Sequence, residues 1–254
     1  MTNRLRATTV SITDTGRVRA RNEDRLLATE RLFAVADGMG GHTLGDVAAT
    51  CAVDALKDAL PELESERERG EHESTITAGL IRAADEICRY VDGDPRGTTS
   101  TSVLHIGKAA GTTIAGVYLA REPIVFHVGD SRVYRYRGGE LARLTRDHSL
   151  VQEMLDAGEI TDAQAHAHPR KNIITRAIGT YGPPRVEFAA AELTAGDYVL
   201  VCSDGLHDEL TDEEISAVLR RSSTMEQAVE ELRDAALAAG GHDNVSIVLA
   251  QIGE

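Results

Sequence analysis

The period of the hydrophobic pattern changes several times along the chain. Leu5, Ala7, Thr9 and Ser11 alternate with their neighbours, and residues 32–37 (LFAVAD) form a nearly continuous apolar run ending in charge and glycine. Alternation predicts a strand exposed on one face, and an unbroken short run predicts one buried on both. From residue 44 to 60 the spacing shifts, with Val47, Ala48, Cys51, Ala52, Ala55, Leu56, Ala59 and Leu60 marking one face of a helix. Pro61 is expected to stop it. Residues 62–73, highly charged around Gly70, predict a solvated connection. A second helix follows, with Ile76, Leu80, Ala84, Ile87, Cys88 and Val91 spaced for burial, and residues 92–97 (DGDPRG) predict a turn.

From residue 98 to 144 the chain is rich in β-branched residues. Segments 98–107, 111–120, 123–130, 131–139 and 140–145 read as strands joined by glycine-containing turns, hence an antiparallel sheet. Residues 149–168 are polar and helical or irregular. Strands resume at 186–192 and 197–202, helices are expected at 212–219 and 225–239, and 245–250 is a last strand. Strands come in groups and helices in pairs, unlike an alternating βαβ chain. The pattern predicts an α+β fold of two stacked antiparallel sheets with helices outside. No repeat or linker divides the chain, so a single domain over residues 1–254 is expected.

Composition narrows the partners. The 254 residues are 42% hydrophobic, enough for a substantial core. Acidic side chains outnumber basic ones 41 to 27, a net charge of −14, which argues against broad nucleic-acid binding. No apolar stretch approaches the roughly 20 residues that span a bilayer. The beginning of the sequence, MTNRLRATTVSITDTG, has no apolar signal region, so a cytoplasmic location without membrane partners is expected. Cys51, Cys88 and Cys202 match neither a disulfide framework nor a cysteine zinc site. Cys51 and Cys88 are expected to be buried thiols, and Cys202 buried support in a strand.

The informative residues are carboxylates at strand ends. Glu23 and Asp24 lie in RARNEDR, Asp37 follows LFAVA, Asp130 follows PIVFHVG, Asp204 follows YVLVCS, and Asp243 immediately precedes NVSIVLA. One such acid is ordinarily a turn-former or helix cap. Several gathered at one end of a sandwich would repel one another unless cations lay between them. Oxygen-only ligation suits Mg²⁺ or Mn²⁺, and neighbouring glycines let backbone carbonyls and waters approach. Two such ions about 4 Å apart activate a water and polarise a phosphoryl oxygen, which is phosphohydrolase chemistry.

The ordered set RARNEDR (19–25), FAVADGMGGH (33–42), GTTS (97–100), VFHVGDSRVYRY (125–136), LTRDHS (144–149), HPRKNIITRAIG (168–179), VLVCSDGLHDEL (199–210) and GGHDNVSIV (240–248) resembles the bacterial branch of the metal-dependent PP2C (PPM) serine/threonine protein phosphatases. The resemblance covers nearly the whole chain. It implies a four-layer αββα sandwich with a flap near 147–178. It implies hydrolysis of phosphoserine and phosphothreonine in proteins, two Mn²⁺ or Mg²⁺ ions with a weaker third, and a cognate serine/threonine kinase. A monomer is the default expectation.

Residue roles follow from the same resemblance. Asp37 matches the carboxylate bridging two metals, and the Gly38 carbonyl a ligand of one. Asp204 and Asp243 match the acids of the other. Glu23 and Asp24 match direct or water-mediated ligands, in either assignment. Asp130 matches the acid of a third ion, with Asp204 shared. Arg19 matches the arginine that grips the substrate phosphate, for which a bidentate guanidinium is suited. A water activated between the metals attacks phosphorus without a covalent enzyme intermediate. His42, in GMGGH, is a candidate leaving-group acid acting through water, with a structural role as its alternative. His148 in RDHS is expected to act structurally or behind the site. His207 stands where bacterial relatives have a small polar residue, beside Asp208, a capping or orienting residue. Thr98, Thr99 and Ser100 read as sheet and network residues, and His166 and His168 as a solvated loop rather than zinc ligands. Two alternatives share the fold: a non-catalytic binder of phosphorylated partners, and a phosphatase for a regulatory switch such as a phosphoserine anti-sigma antagonist. Retention of Arg19, Asp37, Asp204 and Asp243 favours the stand-alone catalytic reading.

Overall fold

Strand β3 (Leu32–Ala36) shows why apolar runs need not alternate. Its side chains are all buried, with Phe33 and Val35 entering one core and Leu32, Ala34 and Ala36 another. A computed structural model describes residues 5–40, 44–65, 68–91, 110–161, 164–165, 168–180 and 182–254. One five-stranded sheet runs in the order β1 (Arg6–Asp14), β12 (Val245–Gly253), β11 (Tyr198–Cys202), β8 (Arg132–Arg137) and β9 (Glu140–Arg143). The other runs β10 (Glu187–Ala190), β7 (Ile124–Val128), β6 (Ile114–Tyr118), β3 and β2 (Arg25–Ala28). Every ladder is antiparallel. A short pair, β4 (Gly38–Met39) with β5 (Gly111–Thr112), lies beside them.

Three cores make four layers. Phe33, Val35, Val117, Val125, Val199, Val201 and Val248 fill the space between the sheets. Helices α1 (Gly45–Leu63) and α2 (Arg69–Val91) pack on the outer face of the β3 sheet through Leu56, Ile76, Leu80 and Ile87. The short α4 (Asp204–His207), with α5 (Asp212–Arg221) and α6 (Met225–Ala239), covers the outer face of the β11 sheet through Leu206, Ile215 and Leu232. Each central strand therefore sends odd and even residues into two different apolar layers, as the αββα expectation requires. Thr211 and Glu214 close a capping box on α5, a device worth about 1 kcal/mol.

Several expectations are corrected. Pro61 does not stop α1 but sits inside its last turn, because the helix continues far enough to bury Leu63. Helix α2 begins at Arg69, within the stretch read as a connection, and buries His72 and Thr75. Cys88 is exposed, since the adjacent Ile87 takes the core-facing position, whereas Cys51 and Cys202 are buried. Strand β12 runs three residues beyond the expected end, to Gly253. The expected turn at 92–97 and strand at 98–107, with Thr98, Thr99 and Ser100, lie outside the described residues, as do His42 and His166. No helix among the described residues is long and apolar enough to cross a membrane.

Candidate active site

Registers bring the acidic residues to one edge. In one sheet Arg25 at the start of β2 faces Ala36 at the end of β3, and Ile114 at the start of β6 faces Val128 at the end of β7. In the other, the end of β11 (Cys202) faces Ile247 of β12 and Arg132 of β8. The segments leaving or entering at that edge carry Glu23, Asp24, Asp37, Asp130, Asp204 and Asp243. A cavity of about 560 Å³ opens there, lined by Arg19, Glu23, Asp37, Gly38, Asp130, Asp204 and Asp243 among others. Asp24 is the exception. It is buried behind the lining, where its Oδ2 accepts a hydrogen bond from Ser203 Oγ at 3.0 Å.

Local chemistry holds each acid in place. The Asp37 N–H donates to Thr113 Oγ1 (3.1 Å), and the Asp37 carbonyl accepts from the Thr113 N–H (2.9 Å) and the Thr112 hydroxyl (2.9 Å). Asn244 ties the Glu23 segment to Asp243: its Oδ1 accepts from the Glu23 N–H, and its Nδ2 donates to the carbonyls of Thr15 and Arg21. At Gly38 a Cβ would stand 2.2 Å from the Gly45 carbonyl oxygen and 2.6 Å from that of Glu23, so the close approach of these three segments requires glycine.

Electrostatics mark the cavity as incomplete without cations. Burial, reinforced by Asp24, Asp204, Asp130 and Asp243, holds Asp37 well above the carboxylate range. Burial pushes Asp24 up to about 7, with Asp204 and Asp243 adding repulsion, and Asp204 likewise to about 7, with Asp243 and Asp208 adding theirs. Asp130 is raised by burial and by Asp204 and Asp147. Five acids line the cavity against two arginines, Arg19 and Arg21, and Arg19 pairs with Asp243 at 2.5 Å. Asp24 Oδ1 and Asp204 Oδ1 are buried without a hydrogen-bond partner. Buried carboxylate oxygens without donors, in an all-oxygen set, fit a hard divalent cation. The two buried cysteines offer no competing chemistry, because burial pushes the Cys51 thiol to about 11 and Cys202 to about 12.

Sequence reasoning missed the supporting layer. Thr113, Asn244 and Ser203 carry no charge; Asn244 and Ser203 adjoin the strand-end acids Asp243 and Asp204 in sequence, whereas Thr113 has no such signal and meets Asp37 only through the fold. A second cavity of about 710 Å³ shares Asp130, Asn172 and Asp204 with the first and runs under the flap to His207, Asp208 and Lys171. There Lys171 of the flap pairs with Asp208 at 2.9 Å, and buried His207, pushed down to about 3 by burial and by Arg132, donates from Nε2 to the Asp130 carbonyl at 3.1 Å. The flap begins with helix α3 (Leu150–Asp156), capped by Ser149, and Ser149 bridges Ile174. His168 accepts from the Arg170 N–H within a polar turn. One cluster was not anticipated: ligand atoms of His127, His148 and Glu187 lie within 4.8 Å of one another, a donor set compatible with a divalent ion.

Comparison with known proteins agrees with this geometry. Residues 17–240 match the family model described as Protein phosphatase 2C. The chain is 37% identical over 243 residues to the serine/threonine protein phosphatase PstP of Mycobacterium tuberculosis, covering 94% of this chain but 44% of that protein. It is 34% identical over 244 residues to the serine/threonine phosphatase stp of Listeria monocytogenes, covering 94% and 93%. It is also similar to the crystal structure of the PstP catalytic domain in complex with two manganese ions, with a TM-score of 0.79, 33% identity and coverage of 98% and 100%. The chain thus spans less than half of the mycobacterial relative and nearly all of the Listeria one. Matched in sequence across most of its length and in the arrangement of its layers, the chain belongs to the protein phosphatase 2C family of metal-dependent serine/threonine phosphatases.

Proposed function

We propose that this chain is a single catalytic domain that hydrolyses phosphoserine and phosphothreonine in proteins, opposing a serine/threonine kinase and acting as a monomer in the cytoplasm. One observation carries the reading: five carboxylates line one cavity at the sandwich edge, and one of them, Asp204, has a buried oxygen lacking any donor. A cavity so acidic repels a phosphate unless cations are present, and its oxygens are the donors that Mn²⁺ or Mg²⁺ prefers. The manganese held by the similar PstP domain supports Mn²⁺.

Asp37, the Gly38 carbonyl and Glu23 would hold one ion, Asp37 with Asp204 and Asp243 a second, and Asp130 with Asp204 a weaker third. Glu23 is assigned as the direct ligand because it lines the cavity, whereas Asp24 stands behind it. When bound, the ions supply Lewis acidity, a water of lowered pKa and neutralisation of charge on the phosphoryl oxygens. Arg19 is the phosphate-binding side chain. It is half-exposed at the cavity wall, and its guanidinium can present two parallel N–H donors to a phosphate. Thr113 and Asn244 keep Asp37 and Asp243 from moving as charge develops. Asn172 and Ile174 of the flap close one side of the cavity and meet the protein substrate. His42 is the proposed leaving-group acid.

The test is phosphate release from a phosphothreonine peptide, with and without Mn²⁺, beside Asp37→Asn. Turnover that needs Mn²⁺ and is lost in the variant supports the hydrolase. Folded, Mn²⁺-loaded protein that releases no phosphate from any of several phosphopeptides would instead favour the phosphoprotein-binding alternative.

A further inference from the structure

We infer that His148 is a positioning residue, a two-sided clamp on Gly129 through which the flap sets the neighbouring Asp130 carboxylate. Gly129 follows strand β7 with φ +104°, and a Cβ there would stand 2.6 Å from Thr113 Cγ2, so the turn presenting Asp130 admits only glycine. Both polar groups of Gly129 are taken by one residue. Its N–H donates to His148 Nδ1 at 3.0 Å, and its carbonyl accepts from the His148 N–H at 2.9 Å. On the far side, the His148 carbonyl accepts from the Thr175 N–H at 2.8 Å, and Ser149 bridges Ile174, which lines the cavity. A single residue therefore bonds the turn of a site carboxylate and the flap segment that lines the cavity.

The ring is fixed in one tautomer. Because Nδ1 accepts from Gly129, Nε2 carries the proton and donates to Glu187 Oε2 at 3.1 Å. Arg176 Nη1 stands 3.0 Å from that nitrogen and 3.4 Å from the same carboxylate oxygen. His127 stacks on the ring with centroids 4.5 Å apart and planes 15° apart, its own Nε2 donating to the Arg146 carbonyl. The Arg176 guanidinium already stands beside both His148 Nε2 and Glu187 Oε2, and its charge repels a metal ion from that place. The cluster is an orienting frame for the imidazole, and the imidazole orients the turn. On the opposite side His207 Nε2 donates to the Asp130 carbonyl, and Ser131 Oγ meets Thr113 Oγ1 at 2.7 Å, linking the same turn to the Asp37 backbone. Groups that orient metal ligands in this manner typically change metal affinity by about 10–100-fold when removed.

Two substitutions separate the clamp from the frame. In His148→Asn the side-chain oxygen falls near the place of Nδ1 and can still accept from Gly129. In His148→Gln the amide falls near Nε2, keeping Glu187 and losing Gly129. Mn²⁺ titration without substrate is expected to show the weakest ion loosened about tenfold in His148→Gln and about threefold or less in His148→Asn. With the phosphopeptide, kcat should fall about tenfold in His148→Gln with KM changed less than about threefold, His148→Asn recovering most of kcat. Equal behaviour of the two variants, with losses that follow Tm, would overturn the clamp. So would loss of one full Mn²⁺ equivalent in both variants and in Glu187→Gln, which would make the cluster itself a metal site. The kinetic arm rests on the proposed hydrolase. Absence of wild-type turnover would sink that reading, whereas the substrate-free titration still decides for or against the clamp.

Discussion

Strand β11 carries an aspartate at each end, and the two are opposite in their electrostatics. Asp197 enters the strand, buried, with Arg137 of the neighbouring β8 on both of its oxygens at 2.6 and 2.7 Å and the Thr194 N–H on Oδ2. Arg137 holds it below the carboxylate range despite burial, which acts the other way. Asp204 leaves the strand toward the cavity, faces Asp243 and Asp208, has an oxygen without a donor, and is pushed up to about 7. The same contrast recurs on β8, where Asp147 pairs with Arg132 while nearby Asp130 is raised. A buried acid that brings its own arginine completes itself and serves the fold. An acid left among other acids is complete only with something from outside.

The largest test of that contrast is a matched pair of substitutions. Asp204→Asn should cut Mn²⁺-dependent kcat on the order of a thousandfold, while raising the Tm of metal-free protein by removing a crowded buried charge. Asp197→Asn should do the reverse: a lower Tm, because Arg137 and the Thr194 N–H lose an anionic acceptor, with kcat within about twofold of wild type. Thermal scans and steady-state kinetics on both variants read this out. If Asp204→Asn destabilised the metal-free protein as much as Asp197→Asn does, the cavity would be an ordinary structural network.

Much of this was legible in the sequence, for a physical reason. Strands buried on both faces leave unmistakable apolar runs, and the acids that end them are the only charges such runs tolerate. LFAVAD, VLVCSD and the HDN before VSIVLA accordingly mark both a layer and a ligand position. Neutral groups that act through hydrogen bonds are not legible in that way. Thr113 sits in a strand-like GTTIAG and looks like any β-branched residue; only the register that places it beside Asp37 gives it a role. Asp24 and Glu23 are adjacent in sequence, and only the fold turns one into the cavity and the other behind it. Helix ends failed for a related reason. Pro61 predicts a stop from backbone chemistry, but the tertiary burial of Leu63 outweighs it.

A pH series sharpens the comparison at intermediate size. Asp24 and Asp204, raised to about 7 from an unfolded value near 3.8, bind protons in the folded protein before the unfolded chain does. Their effect is to make metal-free protein less stable as pH rises toward and through 7. His207, pushed down to about 3, works the other way below an unfolded value of 6.5, since the unfolded chain then takes the proton. Burial lowers His127 and His148 in the same direction, so the three histidines begin to oppose the carboxylates as pH nears 6.5, and the window between about pH 8 and 6.5 is where the carboxylates dominate. Metal-free Tm should rise by several degrees as pH falls across it, then level off or drop as the His207 contribution is lost. Saturating Mn²⁺ should abolish the rise, because the ions displace the protons. A metal-free Tm that is flat or falls from pH 8 to 6.5 would show that the cavity acids are already compensated.

The smallest effect concerns the acid that does not line the cavity. Ser203 Oγ donates to Asp24 Oδ2 at 3.0 Å and accepts from the Ser246 N–H at 3.0 Å, so it joins Asp24 to the starts of α4 and β12. Ser203→Ala leaves a buried carboxylate and a buried N–H short of a partner, at a cost of about 1–2 kcal/mol in stability. Because the effect on the cavity passes through the backbone between Asp24 and Glu23, kcat should change by less than about threefold and Mn²⁺ affinity by a similar factor. Asp24→Asn should likewise fall well short of Glu23→Gln in its effect on Mn²⁺ binding. Should Ser203→Ala or Asp24→Asn weaken Mn²⁺ as strongly as Glu23→Gln, Asp24 would belong to the ligand set, and the boundary between completed and open carboxylates would lie one residue further into the core.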